Sequence, residues 1–248
     1  MARKNRKQRH RHETHAEYIN NNVHYLPQAQ KQKQVHIHGR NPNQKDYIQK
    51  LLDPANTIIF ATGPAGTGKT MLAVLAAVKA LKEQTIDRLI ITRPAVGVDD
   101  EKHGFLPGDL NAKMEPWTKP IFDIVREYYT AKQIQTMISE GIIEVSPLAF
   151  MRGRTFKNVF VIADEMQNAT PSQMKMLLTR IGDDSRMVVT GDIAQTDRKE
   201  YENGLLDFQK LYDAYLDSEY ISVSKFDHED IERHPAVAEV LDLSLIHI

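Results

Sequence analysis

The sequence predicts an α/β fold built on a mainly parallel sheet. Three observations carry that expectation. From Asn41 onward, short apolar runs alternate with longer stretches of helical periodicity, the pattern left by strands joined through helical crossovers. One run, Ile58-Ile59-Phe60, leads through a glycine-rich turn into the helix-like stretch that starts near Thr70. Others end in acidic or glycine residues, at Asp164-Glu165 and Gly191-Asp192, which puts polar groups at the carboxyl ends of strands, where open α/β sheets bind ligands.

Taken in order, the elements follow from local signals. A helix is expected over 44–52 behind the Asn41-Pro42 start, and a strand over 58–61. The Met71-Leu72-Ala73-Val74 stretch extends a helix over 70–82, and Leu89-Ile90-Ile91 makes a strand over 88–92. Proline at position 116 marks a helix over 116–129, followed by a helix over 132–140 and a strand over 142–145. A strand over 159–163, a helix opening at Pro171 and running to 181, and a strand over 187–190 come next. Asn203 starts a helix over 203–214, and the last strand covers 220–223. Residues 94–113 form a long loop with Gly97, Gly104, Pro107 and Gly108, and a loop of that length in a compact domain usually has a function.

At 248 residues and 41% hydrophobic content the chain can bury one ordinary core. No stretch approaches the roughly 20 apolar residues of a membrane helix, and no signal peptide is visible. A soluble, cytoplasmic protein without a membrane partner is expected. With no cysteine there are no disulfides and no thiolate metal sites. Residues 1–50 hold eleven Lys and Arg against three Asp and Glu, although the whole chain carries only −1. Residues 1–40 therefore read as a basic, mostly disordered arm. Its opening run from Arg3 to His12 can serve either to hold nucleic-acid phosphates or merely to solvate the tail. The histidines at 10, 12, 15, 24, 36 and 38 have no carboxylate or thiolate support in an ordered frame, so no metal site is expected there. Residues 243–248, Leu-Ser-Leu-Ile-His-Ile, are what CTG-TCT-CTT-ATA-CAC-ATC encodes. That DNA resembles the end of a transposon-based sequencing adapter, so these residues read either as an appended scar after about Asp242 or as a genuine apolar tail, and they are kept out of the functional reading.

The chemistry centres on Gly63-Pro64-Ala65-Gly66-Thr67-Gly68-Lys69-Thr70. Backbone N–H groups of such a turn converge on a polyphosphate, Lys69 reaches the β- and γ-phosphates, and the Thr70 hydroxyl takes a place on Mg²⁺. Asp164 would hold Mg²⁺ through water, and Glu165 would polarise the attacking water. Gln195 is the candidate sensor of the γ-phosphate. Gln44 could offer its amide donor and acceptor to adenine, which favours ATP over GTP. ATP and Mg²⁺ are the expected cofactors.

Taken together, these elements resemble the PhoH family, phosphate-starvation-linked ATPases of bacteria and bacteriophages. The resemblance covers residues 41–242. It rests further on Ile91-Thr92-Arg93-Pro94-Ala95-Val96, Gly104-Phe105-Leu106-Pro107-Gly108-Asp109-Leu110, Phe150-Met151-Arg152-Gly153-Arg154-Thr155-Phe156, Asp164-Glu165-Met166-Gln167-Asn168 and Arg233-His234-Pro235. Met166 departs from the family, which more often has a small residue there, and so does Asp99-Asp100-Glu101, where glycine is more usual. The resemblance implies a P-loop NTPase with a RecA-like, three-layer core, helices on both faces of the sheet, related to superfamily 1 helicases. It also implies ATP hydrolysis, a role on RNA or another single-stranded nucleic acid, and a homo-oligomeric ring of six.

Residues 196–242 are too few for the second RecA domain that closes a helicase site, so an arginine finger would have to come from another subunit. Arg152, Arg154, Arg180 and Arg233 are the candidates, with Arg180 and Arg233 carried as catalytic. Two other functions compete: a P-loop kinase, and a ring protein that ATP merely stabilises.

Overall fold

The computed structural model describes residues 33–94, 110–196, 202–214, 218–232 and 236, with the side chains of 110–116 excepted. The chain divides into two compact units, 1–33 and 34–248, and everything below concerns the second. The arm before Lys33, the core of the 94–113 loop, Arg233 and the 243–248 segment lie outside the described residues.

The elements run in the order α1 (Pro42–Leu52), β1 (Ile58–Thr62), α2 (Lys69–Lys82), β2 (Arg88–Arg93), α3 (Leu110–Val125), α4 (Ala131–Ser139), β3 (Ile143–Pro147), β4 (Val159–Ala163), α5 (Pro171–Leu178), β5 (Arg186–Gly191), α6 (Gly204–Ala214) and β6 (Ile221–Lys225). All six strands join one sheet in the order β3-β2-β4-β5-β1-β6. Every pairing in it is parallel. The fold is the three-layer α/β architecture expected.

Side-chain alternation along the strands builds two cores. Ile59, Ala61, Leu89, Ile91, Phe160, Ile162 and Val188 face α1, α2, α3 and α4, packing on Tyr47, Leu51, Leu72, Val125 and Ile134. Their strand neighbours Ile58, Phe60, Ile90, Val161, Ala163 and Val189 face the other way, onto Met174, Leu177 and Leu205 of α5 and α6. Each fully buried large side chain contributes roughly 1.5–3 kcal/mol through burial of apolar surface. Val35 and Ile37, read from sequence as part of the arm, pack against the first core. Their alternation with the exposed His36 and His38 gives this extended segment one apolar side.

Helix α3 begins six residues before the boundary that Pro116 suggested, so both Pro116 and Pro120 sit inside it. An interior proline costs about 3 kcal/mol, and burial of Ile121 and Val125 offsets it. Helix α1 starts as read from sequence, with Asn41 accepting from the Gln44 N–H and proline at the first turn. Its carboxyl end is closed by the Arg186 guanidinium, which donates to the Leu51 and Asp53 carbonyls.

β5 lies between β1 and β4. Register pairs Thr62 with Gly191 and Ala163 with Val189. Thr190 and Gly191 therefore stand between the phosphate-type loop after β1 and the acidic pair after β4.

Candidate functional site

Gly63 leaves β1 with φ at 138°. A Cβ there would stand 2.2 Å from the Phe226 carbonyl oxygen, so only glycine lets the segment after β6 lie against the loop. That segment also reaches the loop through the Glu232 N–H, which donates to the Gly66 carbonyl at 3.1 Å. Gly68, at φ 84°, caps α2 without a side-chain bond, so the first amides of α2 are left for another acceptor. An amide-rich helix start of this kind favours anions.

Lys69 is 8% exposed. Its ammonium donates to the Gly63 and Pro64 carbonyls at 2.6 Å each and to Thr67 Oγ1 at 3.2 Å. Burial pushes its pKa below the usual lysine value, and the charges of Asp192, Glu165 and Asp164 partly restore it.

Asp164 Oδ1 accepts from the Thr70 hydroxyl at 2.8 Å and from the Thr190 hydroxyl at 2.5 Å. These oxygens line one wall of a cleft of about 300 Å³, whose other walls are the phosphate-type loop and residues 190–195. Hydroxyl and carboxylate oxygens form a hard donor set, which suits Mg²⁺. Among the described residues no three His, Asp or Glu side chains gather as a cage. Mg²⁺ characteristically takes one or two carboxylates plus substrate phosphates and waters, so Thr70 and Asp164 fit it.

Glu165 adopts the left-handed conformation, φ 54° and ψ 39°. A non-glycine residue pays for this geometry only where its surroundings hold it. Gln167 does so. Its Nε2 donates to Glu165 Oε2 at 2.5 Å, and its Oε1 accepts the Asp192 N–H at 3.2 Å. The Gln167 backbone carbonyl accepts from Thr196 Oγ1. Gln195 is exposed and lines the cleft.

The sequence reading gave Gln167 no role beyond its place in a motif, and Thr190 none beyond its strand. Gln167 lies two residues beyond Glu165, and Thr190 precedes Gly191 at a strand end, but only the sheet order brings both to the cleft. Asp230 was missed as well: 4% exposed, it accepts from Asn43 Nδ2 at 2.8 Å and so ties α1 to the segment over the loop.

Gln44 is not at the cleft surface. It is 2% exposed. Its Nε2 donates to the Thr67 carbonyl at 3.0 Å and its Oε1 accepts the Arg40 N–H at 2.8 Å. The amide assigned to adenine is thus engaged in holding the phosphate-type loop.

None of the described arginine candidates lines the cleft. Arg154 forms a two-pronged pair with Glu144, 2.5 Å and 2.8 Å, and lies 5.4 Å from the centre of the Phe156 ring. Its hydrogen bond to Glu144 raises its pKa further. Within this chain Arg154 is thus held as a partner of Glu144 and Phe156. Arg180 donates to the Met176 and Arg154 carbonyls and to Thr179 Oγ1. Arg152 is exposed.

The family model described as PhoH-like protein matches residues 36–244. The chain belongs to the PhoH family. It is 44% identical over 206 residues to a PhoH-like protein of Synechocystis, covering 83% of this chain and 61% of that one. It is 38% identical over 200 residues to protein PhoH of Escherichia coli K12, covering 79% of this chain and 55% of the relative. The chain thus spans between half and two thirds of the length of these PhoH relatives. Among solved structures, the Pyrococcus furiosus Hef helicase domain aligns at TM-score 0.42 and 12% identity, over 81% of this chain and 39% of that one. Met166 is fully buried in the second core, in one cluster with Ala169 and Leu205. Sheet and family together give the chain a P-loop NTPase fold.

Proposed function

We propose that this PhoH-family chain binds ATP with Mg²⁺ and hydrolyses it, coupling turnover to a single-stranded nucleic acid, RNA in the first instance. The observation that carries the reading is the convergence on one cleft of Lys69, the Thr70–Asp164 pair and a Glu165 carboxylate held by Gln167.

Polyphosphate oxygens would replace the loop carbonyls as acceptors of the Lys69 ammonium, relieving its burial. The α2 amides face the same oxygens. Bound Mg²⁺ would supply charge neutralisation on the β- and γ-phosphates, with Thr70 and Asp164 as its protein ligands. Glu165, held by Gln167, accepts a proton from the attacking water. Gln195 reports on the γ-phosphate from the facing wall. The arginine that completes the site comes from another copy in a ring, with Arg180 and Arg233 as the candidates.

Phosphate release by the wild-type chain and by Glu165→Gln, with and without single-stranded RNA, tests this. Release is expected from the wild type, stimulated by RNA, and about 100-fold less or lower still from the variant. Absence of release from the wild type would sink the ATPase reading, and turnover indifferent to RNA would sink its coupling.

A further inference from the structure

The turn between β3 and β4 divides its side chains sharply. Leu148 and Met151 are buried in the second core, which leaves Phe150 facing solvent at 54% exposure. Gly153, at φ 79°, bends the chain between two arginines. Arg154 turns inward onto Glu144 and Phe156. Arg152 stays exposed and has no ion pair among the described residues.

Arg152 forms one side of a groove of about 470 Å³ whose other side is the face of α5 that carries Ser172, Lys175 and Thr179, with Arg180 at its end. Lys175 is exposed and also lacks an ion pair among the described residues. The Arg180 guanidinium meets carbonyls and a hydroxyl rather than a carboxylate. No acidic side chain lines the groove, although Asp and Glu slightly outnumber Lys and Arg in the chain, 33 to 32. Exposed cations with no acidic side chain among them, and an exposed aromatic ring on the same turn as Arg152, match the chemistry of single-stranded nucleic acids, whose phosphates need cations and whose bases need a flat apolar face.

We infer that this groove is a track for a single nucleic-acid strand, with Arg152 and Lys175 on successive phosphates and Phe150 stacked on a base. The inference rests on the nucleic-acid half of the proposed function and adds its location. Helix α5 follows Glu165 after only the Met166–Asn168 turn, Ala169 and the Thr170 cap. A strand bound along α5 therefore presses on the segment that carries the hydrolytic carboxylate.

The test is fluorescence anisotropy of a labelled oligouridylate, and of the matching oligodeoxynucleotide, with the full chain over a range of salt. Replacing Arg152 and Lys175 by glutamine is expected to flatten the salt dependence by about 0.7 for each cation removed. Phe150→Ala should weaken binding about tenfold at unchanged salt dependence, and Phe150→Trp should restore it. Lys175→Gln and Phe150→Ala should keep the wild-type melting temperature and basal ATP hydrolysis. Variants that bind like a binding wild type would overturn the track alone. A wild type that binds neither strand would overturn the nucleic-acid half of the proposed function together with it. Loss of basal hydrolysis in Lys175→Gln with intact strand binding would make the groove a contact to a neighbouring subunit, and would overturn it too.

Discussion

Gln167 joins Glu165 to Asp192: one end of its buried amide holds the Glu165 carboxylate at 2.5 Å, and the other accepts the Asp192 N–H at 3.2 Å. The acidic turn after β4 and the loop after β5 are therefore mechanically one unit. Gln167→Ala removes both bonds, together with a longer one to the Gln195 carbonyl at 3.4 Å, and frees a carboxylate whose backbone is already in the left-handed region. Misplacing a reacting group by about 1 Å costs on the order of 100-fold. The expected result is a fall of about that size in kcat at little change in KM for ATP, read in steady-state kinetics. A folded variant with wild-type kcat would remove Gln167 from the positioning of Glu165.

Gln44 supplies a second test, because its two roles give different signatures. As a loop brace it donates to the Thr67 carbonyl and accepts from the Arg40 N–H while almost wholly buried. Gln44→Ala leaves both backbone groups short of a partner, at a cost of about 1–3 kcal/mol. A lower melting temperature is then expected, with affinity for ATP and GTP weakened in the same proportion. Adenine recognition by this amide would instead show as loss of ATP preference with GTP affinity untouched, measured by calorimetric titration of both nucleotides.

The difference between what was legible and what was not follows from the range of the interactions. Apolar runs and the loop motif are local, so β4 was read at its observed limits and the phosphate-type loop was located residue by residue. Asp164 and Glu165 were legible because a strand end and two carboxylates are contiguous. Sheet order is not local: that β5 lies between β1 and β4, bringing Thr190 onto Asp164, depends on parallel pairings across more than a hundred residues. The loop contact of Gln44 was hidden for the same reason. Its type and its nearness to the loop were visible, but not the Thr67 carbonyl beneath which it packs. For α3 the proline signal at Pro116 was outweighed by burial farther along the helix.

Arg154 separates a structural arginine from a catalytic one. Its guanidinium grips Glu144 with two bonds, and both side chains are less than a third exposed. The pair links β3 to the turn ahead of β4 and stacks on Phe156, which is itself buried. Removing one partner leaves the other charge partly desolvated, so Arg154→Ala is expected to cost roughly 1–3 kcal/mol, seen as a lower denaturation midpoint in urea. Glu144→Gln, which keeps the shape and removes the charge, should lose a comparable amount although Glu144 bears no relation to the cleft. A finger acting in trans behaves otherwise: its loss leaves stability intact and abolishes turnover. If Arg154→Ala melts like the wild type but no longer releases phosphate, while Glu144→Gln stays active, Arg154 returns to the catalytic candidates.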